Sequence, residues 1–174
     1  MYDYLLYFLI FSFLGWCAEV VFYIFKTGRV VNRGLAKGPF CPIYGVGISL
    51  CYLTFGWVDS FVLLSLFSMA MATAVEFLVG AFLGRTIGQR LWDYSAERGN
   101  ILGYVCPRFS LIWGVVCAAV IKLIPLLDPV IDYLKTPVFY AFSFALLVAI
   151  IVDSKDEMLK RRNANFAANR VDNK

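Results

Sequence analysis

Two glutamates within long apolar stretches are the residues best suited to carry chemistry. Glu19 lies seven residues before Lys26, and Glu76 lies nine residues before Arg85. At a rise of about 1.5 Å per residue, each carboxylate lies roughly 10–14 Å from the loop that follows, which is inside the hydrocarbon zone of a bilayer. An ionisable side chain at that depth is a candidate for a substrate or ion pathway. The two glutamates therefore predict a polar site inside a membrane.

Two arginines are the expected partners of these carboxylates. Arg33 and Arg108 enter from the two equivalent polar loops, next to Gly34 and Pro107. Buried Glu–Arg bridges also serve helix packing without any chemistry. A purely structural pair of ion bridges is therefore the alternative interpretation.

The polar loops that follow the two glutamates supply the other candidate binding residues. Pro39 and Pro42, together with three glycines between Gly28 and Gly38, prevent a continuous helix in the first loop. Non-helical backbone near a membrane is tolerated where it is buried in protein or lines a wet cavity. We therefore expect the loops to roof a polar pocket that opens to the cytoplasm. The predicted substrate-binding residues are Glu19, Glu76, Asn32, Arg33, Tyr44, Asp93, Asn100, Arg108 and Ser110.

Three aromatic residues of the second loop allow a simpler interpretation. Trp92, Tyr94 and Tyr104 have the amphipathic rings that are typical of the membrane–water interface. The alternative to a pocket roof is therefore an interfacial belt with solvated charges.

The composition is that of a membrane protein. Of 174 residues, 61% are hydrophobic and 16% are charged, against about 45–50% and 25% in soluble domains. This excludes a disordered tail, a nucleic-acid binder and a disulfide-stapled secreted domain, and it leaves the five cysteines as reduced packing residues. The sequence has no histidine and no G-x-x-x-x-G-K-[ST] motif, so energy from ATP must come from another polypeptide. No cofactor and no metal site are expected.

Hydropathy predicts an all-α, polytopic helical membrane protein. The five predicted spans are Tyr4–Phe25, Ile43–Val58, Ser60–Gly84, Phe109–Leu127 and Val138–Val152. The second and fifth spans are short, and Trp57-Val58-Asp59 forms a tight turn between the second and the third. The transmembrane domain covers residues 1–152, and a charged tail covers 153–174. The tail is expected to extend the fifth helix before it frays at Asn163–Lys174.

The basic residues set the orientation. Fourteen of the sixteen lie in the loops after spans one and three or in the tail, and only Lys122 and Lys135 lie toward the other side. Positively charged loops near span ends stay in the cytoplasm. Five crossings with an external N-terminus and a cytoplasmic C-terminus fit this distribution.

The sequence contains an apparent internal repeat. In each half a glutamate is followed by Gly-Arg, a polar loop and a Gly-x-x-Cys-Pro motif, which is Gly38–Pro42 in the first half and Gly103–Pro107 in the second. A further cysteine follows in each half, Cys51 and Cys117. Repeat A covers about 4–58 and repeat B about 60–127, while the helix at 138–152 has no counterpart. Because the first and third spans run in the same direction, the repeats are predicted to be parallel.

These residues carry a resemblance to a known family. Gly15-Trp16, the motif Gly38–Gly45 and Trp92-Asp93-Tyr94 resemble the bacterial membrane-protein family labelled putative ABC-transporter type IV permease. The resemblance covers about residues 5–125. It implies a transport component in a bacterial plasma membrane. A separate ATPase subunit is an expected partner, because the sequence has no P-loop motif. The resemblance implies no catalytic or binding residues.

Three functions are compatible with the sequence. The first is a transport component with a cytoplasm-facing pocket for a cation or a small polar solute, working as a homodimer or with a partner membrane subunit. The second is a membrane-embedded enzyme acting on a lipid-linked or amphiphilic substrate, with Glu76 or Asp93 as general acid/base and Arg33 and Arg108 as an anion clamp. The third is a scaffold that anchors partners through the tail. The absent histidine weighs against the enzyme.

Overall fold

The computed structural model is all-helical and describes residues 2–30, 34–88 and 90–172. Its α-helices are α1 (Tyr2–Thr27), α2 (Pro42–Phe55), α3 (Phe61–Ile87), α4 (Pro107–Leu123), α5 (Asp128–Tyr133) and α6 (Pro137–Asp172), and a 3₁₀ turn at Ile124–Leu127 joins α4 to α5. Within the described ranges the only β pairing is an isolated bridge between Ile101 and Val105. The predicted helical fold is confirmed.

Four helical segments are long and apolar enough to cross a membrane. They are Asp3–Thr27, Phe61–Ile87, Pro107–Tyr133 and Pro137–Ala167. The second predicted span is the shorter apolar helix α2, whose 14 residues extend about 21 Å. Large apolar side chains such as Phe25, Leu78 and Phe142 are exposed on the outside of the bundle, where the lipid of a bilayer covers them.

The Cys-Pro motifs mark the starts of α2 and α4. Pro42 and Pro107 occupy the first turns of these helices, after Cys41 and Cys106 at the cap positions. Proline suits a helix start because its fixed φ is helical and its missing N–H has no partner there in any case. Cys41 and Pro42 line one cavity together with Trp92 and Tyr94 of the second loop, so both polar loops lie at the same end of the bundle, which we call the loop end.

Glycines bring the helices of each hairpin close together. A Cβ on Gly45 of α2 would overlap the Ser12 hydroxyl and the Phe8 carbonyl of α1. A Cβ on Gly114 of α4 would lie 2.7 Å from the Ser65 carbonyl oxygen of α3. The chain therefore folds as two tight helical hairpins, α1–α2 and α3–α4.

The two hairpins meet along α2, which packs against both α3 and α4. Cys51 on α2 and Cys117 on α4 interact through their thiols, and both are free and buried. Leu64 and Ile121 belong to the same apolar core. Helix α2, which contacts α1, α3 and α4, therefore lies at the centre of the bundle.

Helix α6 packs against α1 and α3 and extends past the loop end. The Asp153 carboxylate accepts hydrogen bonds from the backbone N–H groups of Lys37 (2.7 Å) and Gly38 (3.1 Å). The Asn165 side chain donates to the carbonyl of Ile87 at the end of α3 (3.2 Å). The extension thereby holds both the first loop and α3.

The charged tail is continuous with the last predicted span. Helix α6 runs without a break from Pro137 to Asp172, so the helix does not end at the predicted fraying point, Asn163. Residues 153–172 contain neither glycine nor proline, the two residues that most often end a helix.

A polar cluster closes the end opposite the loops. The Lys135 ammonium contacts the carboxylates of Asp132 (2.8 Å) and Asp3 (3.0 Å), and Tyr7 donates to Asp128 (2.9 Å). The hydrogen bonds with Asp132 and Asp3 raise the pKa of Lys135, so it remains charged at physiological pH. This cluster, Asp3/Tyr7/Asp128/Asp132/Lys135, ties the start of α1 to α5.

Candidate functional site

A single cavity at the loop end contains both membrane glutamates. The central cavity has a volume of about 360 Å³ and is lined by Glu19 of α1 and Glu76 of α3, together with residues of α2, α4 and the loop at 88–106. The two carboxylates predicted from their spacing therefore lie on the walls of one space.

Glu19 is bound by the phenol of Tyr44. The Tyr44 hydroxyl donates to Glu19 Oε1 at 2.6 Å, and Tyr44 lies in the first turn of α2. The tyrosine ring lies against Gly15, where any Cβ would overlap the ring. Glycine at this position therefore allows α2 to bring its phenol to the carboxylate.

Glu76 is bound by a phenol from the loop. The Tyr94 hydroxyl donates to Glu76 Oε1 at 2.8 Å, and the Tyr94 ring stacks on Phe109 with centroids 4.7 Å apart. Burial, and after it the negative charge of Glu76, raises the pKa of Tyr94, so this hydroxyl stays protonated and donates. Glu76 is only 7% exposed. Its second oxygen, Oε2, accepts no hydrogen bond from the described part of the chain.

Trp113 of α4 lies between the two glutamate–tyrosine pairs. Its ring makes an edge-to-face contact with Tyr44, with centroids 5.4 Å apart, and its indole lies close to Glu76 and Tyr94. Trp113 is not among the predicted binding residues. One signal was present, since Trp113 lies four residues after Phe109, on the same face of α4.

The expected glutamate–arginine pairs are not formed by the described residues. Arg108 pairs with Glu97 at 3.5 Å, and its side chain is 69% exposed, so the predicted Glu76–Arg108 bridge is wrong. The loop folds back over the start of α4 and brings Glu97 to the arginine. Asn32 and Arg33 lie outside the described residues. Neither Glu19 nor Glu76 has an ion-pair partner within the ranges that the structure describes.

Asp93 and Asn100 shape the loop and do not line the cavity. The Asp93 carboxylate accepts from Arg90 and from the backbone N–H of Ser95, each at 2.9 Å. Hydrogen bonds from Ser95 are the main reason that the pKa of Asp93 is lowered. Asn100 accepts from the backbone N–H of Gly103 at 3.0 Å. Both residues therefore determine where the loop places its aromatic side chains.

Ser110 is buried in the first turn of α4 and does not line the cavity. Its backbone N–H donates to the Cys106 carbonyl at 2.9 Å. Of the nine predicted binding residues, three line the central cavity: Glu19, Tyr44 and Glu76.

The loop aromatics point into the bundle. Trp92 and Tyr94 line the central cavity, and the Trp92 indole donates to the Tyr104 carbonyl at 2.8 Å. Tyr104 packs on α3, where a Cβ on Gly80 would lie 2.9 Å from its ring. This arrangement favours the pocket roof over the interfacial belt.

No cluster of three or more histidine, cysteine, aspartate or glutamate side chains that could hold a metal occurs among the described residues. The cavity offers instead two carboxylates, two phenols and two indoles within largely aliphatic walls.

Comparison with known proteins gives one match. A family model described as "Putative ABC-transporter type IV" matches residues 6–155, which confirms the resemblance and extends it to most of the chain. No curated protein and no solved structure matches the chain.

Proposed function

Because the chain belongs to the putative ABC-transporter type IV family, we propose that it is a transport component whose central cavity binds a cation or a small polar solute from the cytoplasm. The family and the apolar helices make it a membrane transport-related protein. The observation that carries the proposal is the pair Glu19 and Glu76, which share one cavity without an ion-pair partner among the described residues.

A cation fits this cavity better than an uncharged solute. Each glutamate receives one phenol hydrogen bond, which satisfies only part of the hydrogen-bonding capacity of a carboxylate. An uncompensated buried charge is costly. A bound cation supplies the missing compensation at the Oε2 atom of Glu76.

We further propose that the protein lies in a bacterial plasma membrane with the loop end in the cytoplasm. The distribution of basic residues supports this orientation. The cavity then opens inward, and the Lys135 cluster closes the external end. A separate ATPase subunit and a second membrane subunit, either another copy or a different chain, are the proposed partners.

We also propose that repeats A (about 4–58) and B (about 60–127) arose by duplication. Glu19 and Glu76 line the same cavity, as two equivalent residues around a shared axis would. Cys51 and Cys117, which follow the cysteines of the two Cys-Pro motifs by ten and eleven residues, interact. Residues at nearly equivalent places in two repeats meet only near the symmetry axis, so the axis would pass between α2 and α4.

The test is ligand-induced stabilisation of the purified protein. Melting temperatures are measured with potassium, magnesium, tetramethylammonium and glycerol, at constant ionic strength for the salts. At least one cation should raise the melting temperature, because a ligand stabilises the state that it binds. Glu19→Gln and Glu76→Gln should each remove the shift. Glutamine still accepts the tyrosine hydrogen bond, so both variants should fold.

The matched control is Glu97→Gln, which makes the same chemical change in the loop but outside the cavity. It should keep the full shift. The proposed site would be contradicted if none of the compounds raised the melting temperature, or if the shift remained in both Glu19→Gln and Glu76→Gln.

A further inference from the structure

The walls of the central cavity are poorly suited to an inorganic ion. Besides the two glutamates, the cavity is lined by aliphatic side chains such as Val75, Val79 and Leu83. A metal cation needs several oxygen ligands in place of its hydration shell. Among the described residues no group of three or more histidine, cysteine, aspartate or glutamate side chains that could hold a metal is present, and apolar walls cannot replace lost water.

The aromatic side chains suit an organic cation. Tyr44, Tyr94, Trp92 and Trp113 line the cavity beside the carboxylates. Aromatic faces attract ammonium groups, with tryptophan the best, and such rings recognise quaternary ammonium ligands in other proteins. Oε2 of Glu76 is buried and accepts no hydrogen bond from the described residues, and it adds a negative charge beside these rings. An ammonium group can compensate this charge even where it has no N–H to donate.

The apolar wall continues onto the outer surface of the bundle. Val46, Phe82 and Val116 line the cavity, and they are 37%, 59% and 40% exposed. Since these side chains lie on membrane helices, their exposed parts face lipid. An apolar group in the cavity can therefore extend along a surface that reaches the bilayer.

We infer that the central cavity takes an amphiphilic organic cation, with its ammonium group at Glu19 and Glu76 and its apolar body along the aliphatic wall. The inference rests on the proposed function and names the class of its ligand. A cavity of about 360 Å³ falls in the usual range of small-molecule sites, about 300–1,000 Å³.

Four probes separate charge from apolar body in the wild-type protein. Benzyltrimethylammonium has both, and neopentylbenzene is its uncharged isostere. Tetramethylammonium has the charge without the benzyl group, and potassium is the inorganic control. Affinities come from thermal shift titrations at constant ionic strength. We expect benzyltrimethylammonium to bind at least about tenfold more tightly than tetramethylammonium, because its ring adds buried apolar area. Neopentylbenzene should produce no shift.

A tryptophan pair tests the location of binding. Trp113→Leu should weaken benzyltrimethylammonium binding about two- to thirtyfold, the range from an exposed to a desolvated cation–π contact. Trp57→Leu is the matched control, because Trp57 lies in the turn before α3 and is 77% exposed; it should bind as the wild type does. If Trp113→Leu fails to fold, the four-probe series decides alone.

The failure of this inference differs from the failure of the proposed function. If potassium or tetramethylammonium binds as tightly as benzyltrimethylammonium, and Glu76→Gln abolishes that binding, the ligand is not amphiphilic but the cation site stands. If neopentylbenzene produces the same shift as benzyltrimethylammonium, the cavity binds apolar groups without regard to charge. That result overturns both the inference and the proposed function. The absence of any shift also overturns both.

Discussion

The close approach of α1 and α2 depends on Gly45, and replacing this glycine tests whether the walls of the cavity form as described. Gly45→Ala would place a Cβ against the Ser12 hydroxyl and the Phe8 carbonyl. The carbonyl belongs to backbone and cannot rotate away, so the helices must separate. Gly47→Ala is the matched control, because a Cβ there meets nothing within 4 Å and the helix is the same.

The size of the effect follows from two opposing terms. Alanine is favoured over glycine in a helix by about 1 kcal/mol, and both variants gain this. Overpacking costs about 1–3 kcal/mol, and only Gly45→Ala incurs it. The two variants should therefore differ by about 1–3 kcal/mol, which corresponds to about 2–4 °C of melting temperature per kcal/mol for a chain of this size.

The assay is thermal unfolding of the purified variants in one detergent, followed by tryptophan fluorescence. Gly45→Ala should melt below Gly47→Ala, which should melt at or above the wild-type temperature. Gly114→Ala should behave like Gly45→Ala, since its Cβ would lie 2.7 Å from the Ser65 carbonyl oxygen. Equal melting of Gly45→Ala and Gly47→Ala would refute the tight α1–α2 crossing.

Three further predictions concern the ends of the bundle. Asp153→Ala should speed hydrogen exchange at the Lys37 amide about tenfold or more, because a charge-assisted hydrogen bond is lost, whereas the exposed Asp156→Ala should not. Lys135→Met should lower the melting temperature by an amount that stays constant between about pH 6 and pH 10 and vanishes at higher pH, because the raised pKa of Lys135 adds stability only while the lysine is charged. A difference that grows with pH above about pH 6 would contradict the bridge. In a cysteine-free background, Asp59→Cys should react with an impermeant maleimide from outside and Lys37→Cys should not, and labelling at Lys37 would reverse the orientation.

The helices were predictable because hydropathy alone determines a membrane span. The first span, predicted at Tyr4–Phe25, is α1 at Tyr2–Thr27, and the third, predicted at Ser60–Gly84, is α3 at Phe61–Ile87. The fifth span was predicted at Val138–Val152, with the tail extending its helix before fraying at Asn163. The helix continues to Asp172, so the extension was predicted but the point where the helix ends was not.

The site was predictable only where one residue carried the signal. Glu19 and Glu76 were identified by a charge in an apolar run, and both line the cavity. The ion pair between Arg108 and Glu97 could not be predicted in the same way, because the two residues meet only through the fold of the loop that contains Glu97. Trp113 has no motif, and its role comes from packing between two helices.

The two halves of the cavity differ in how they supply the phenol. Tyr44 sits on α2, whereas the matching place in the proposed second repeat is Phe109, which has no hydroxyl. Tyr94 stacks on Phe109 and donates to Glu76 instead. The second phenol therefore depends on the fold of the loop, which Asn100 helps to hold. Residues such as Asn100 act on the cavity through Tyr94, and their substitution should alter the Glu76 half while leaving the Glu19 half in place.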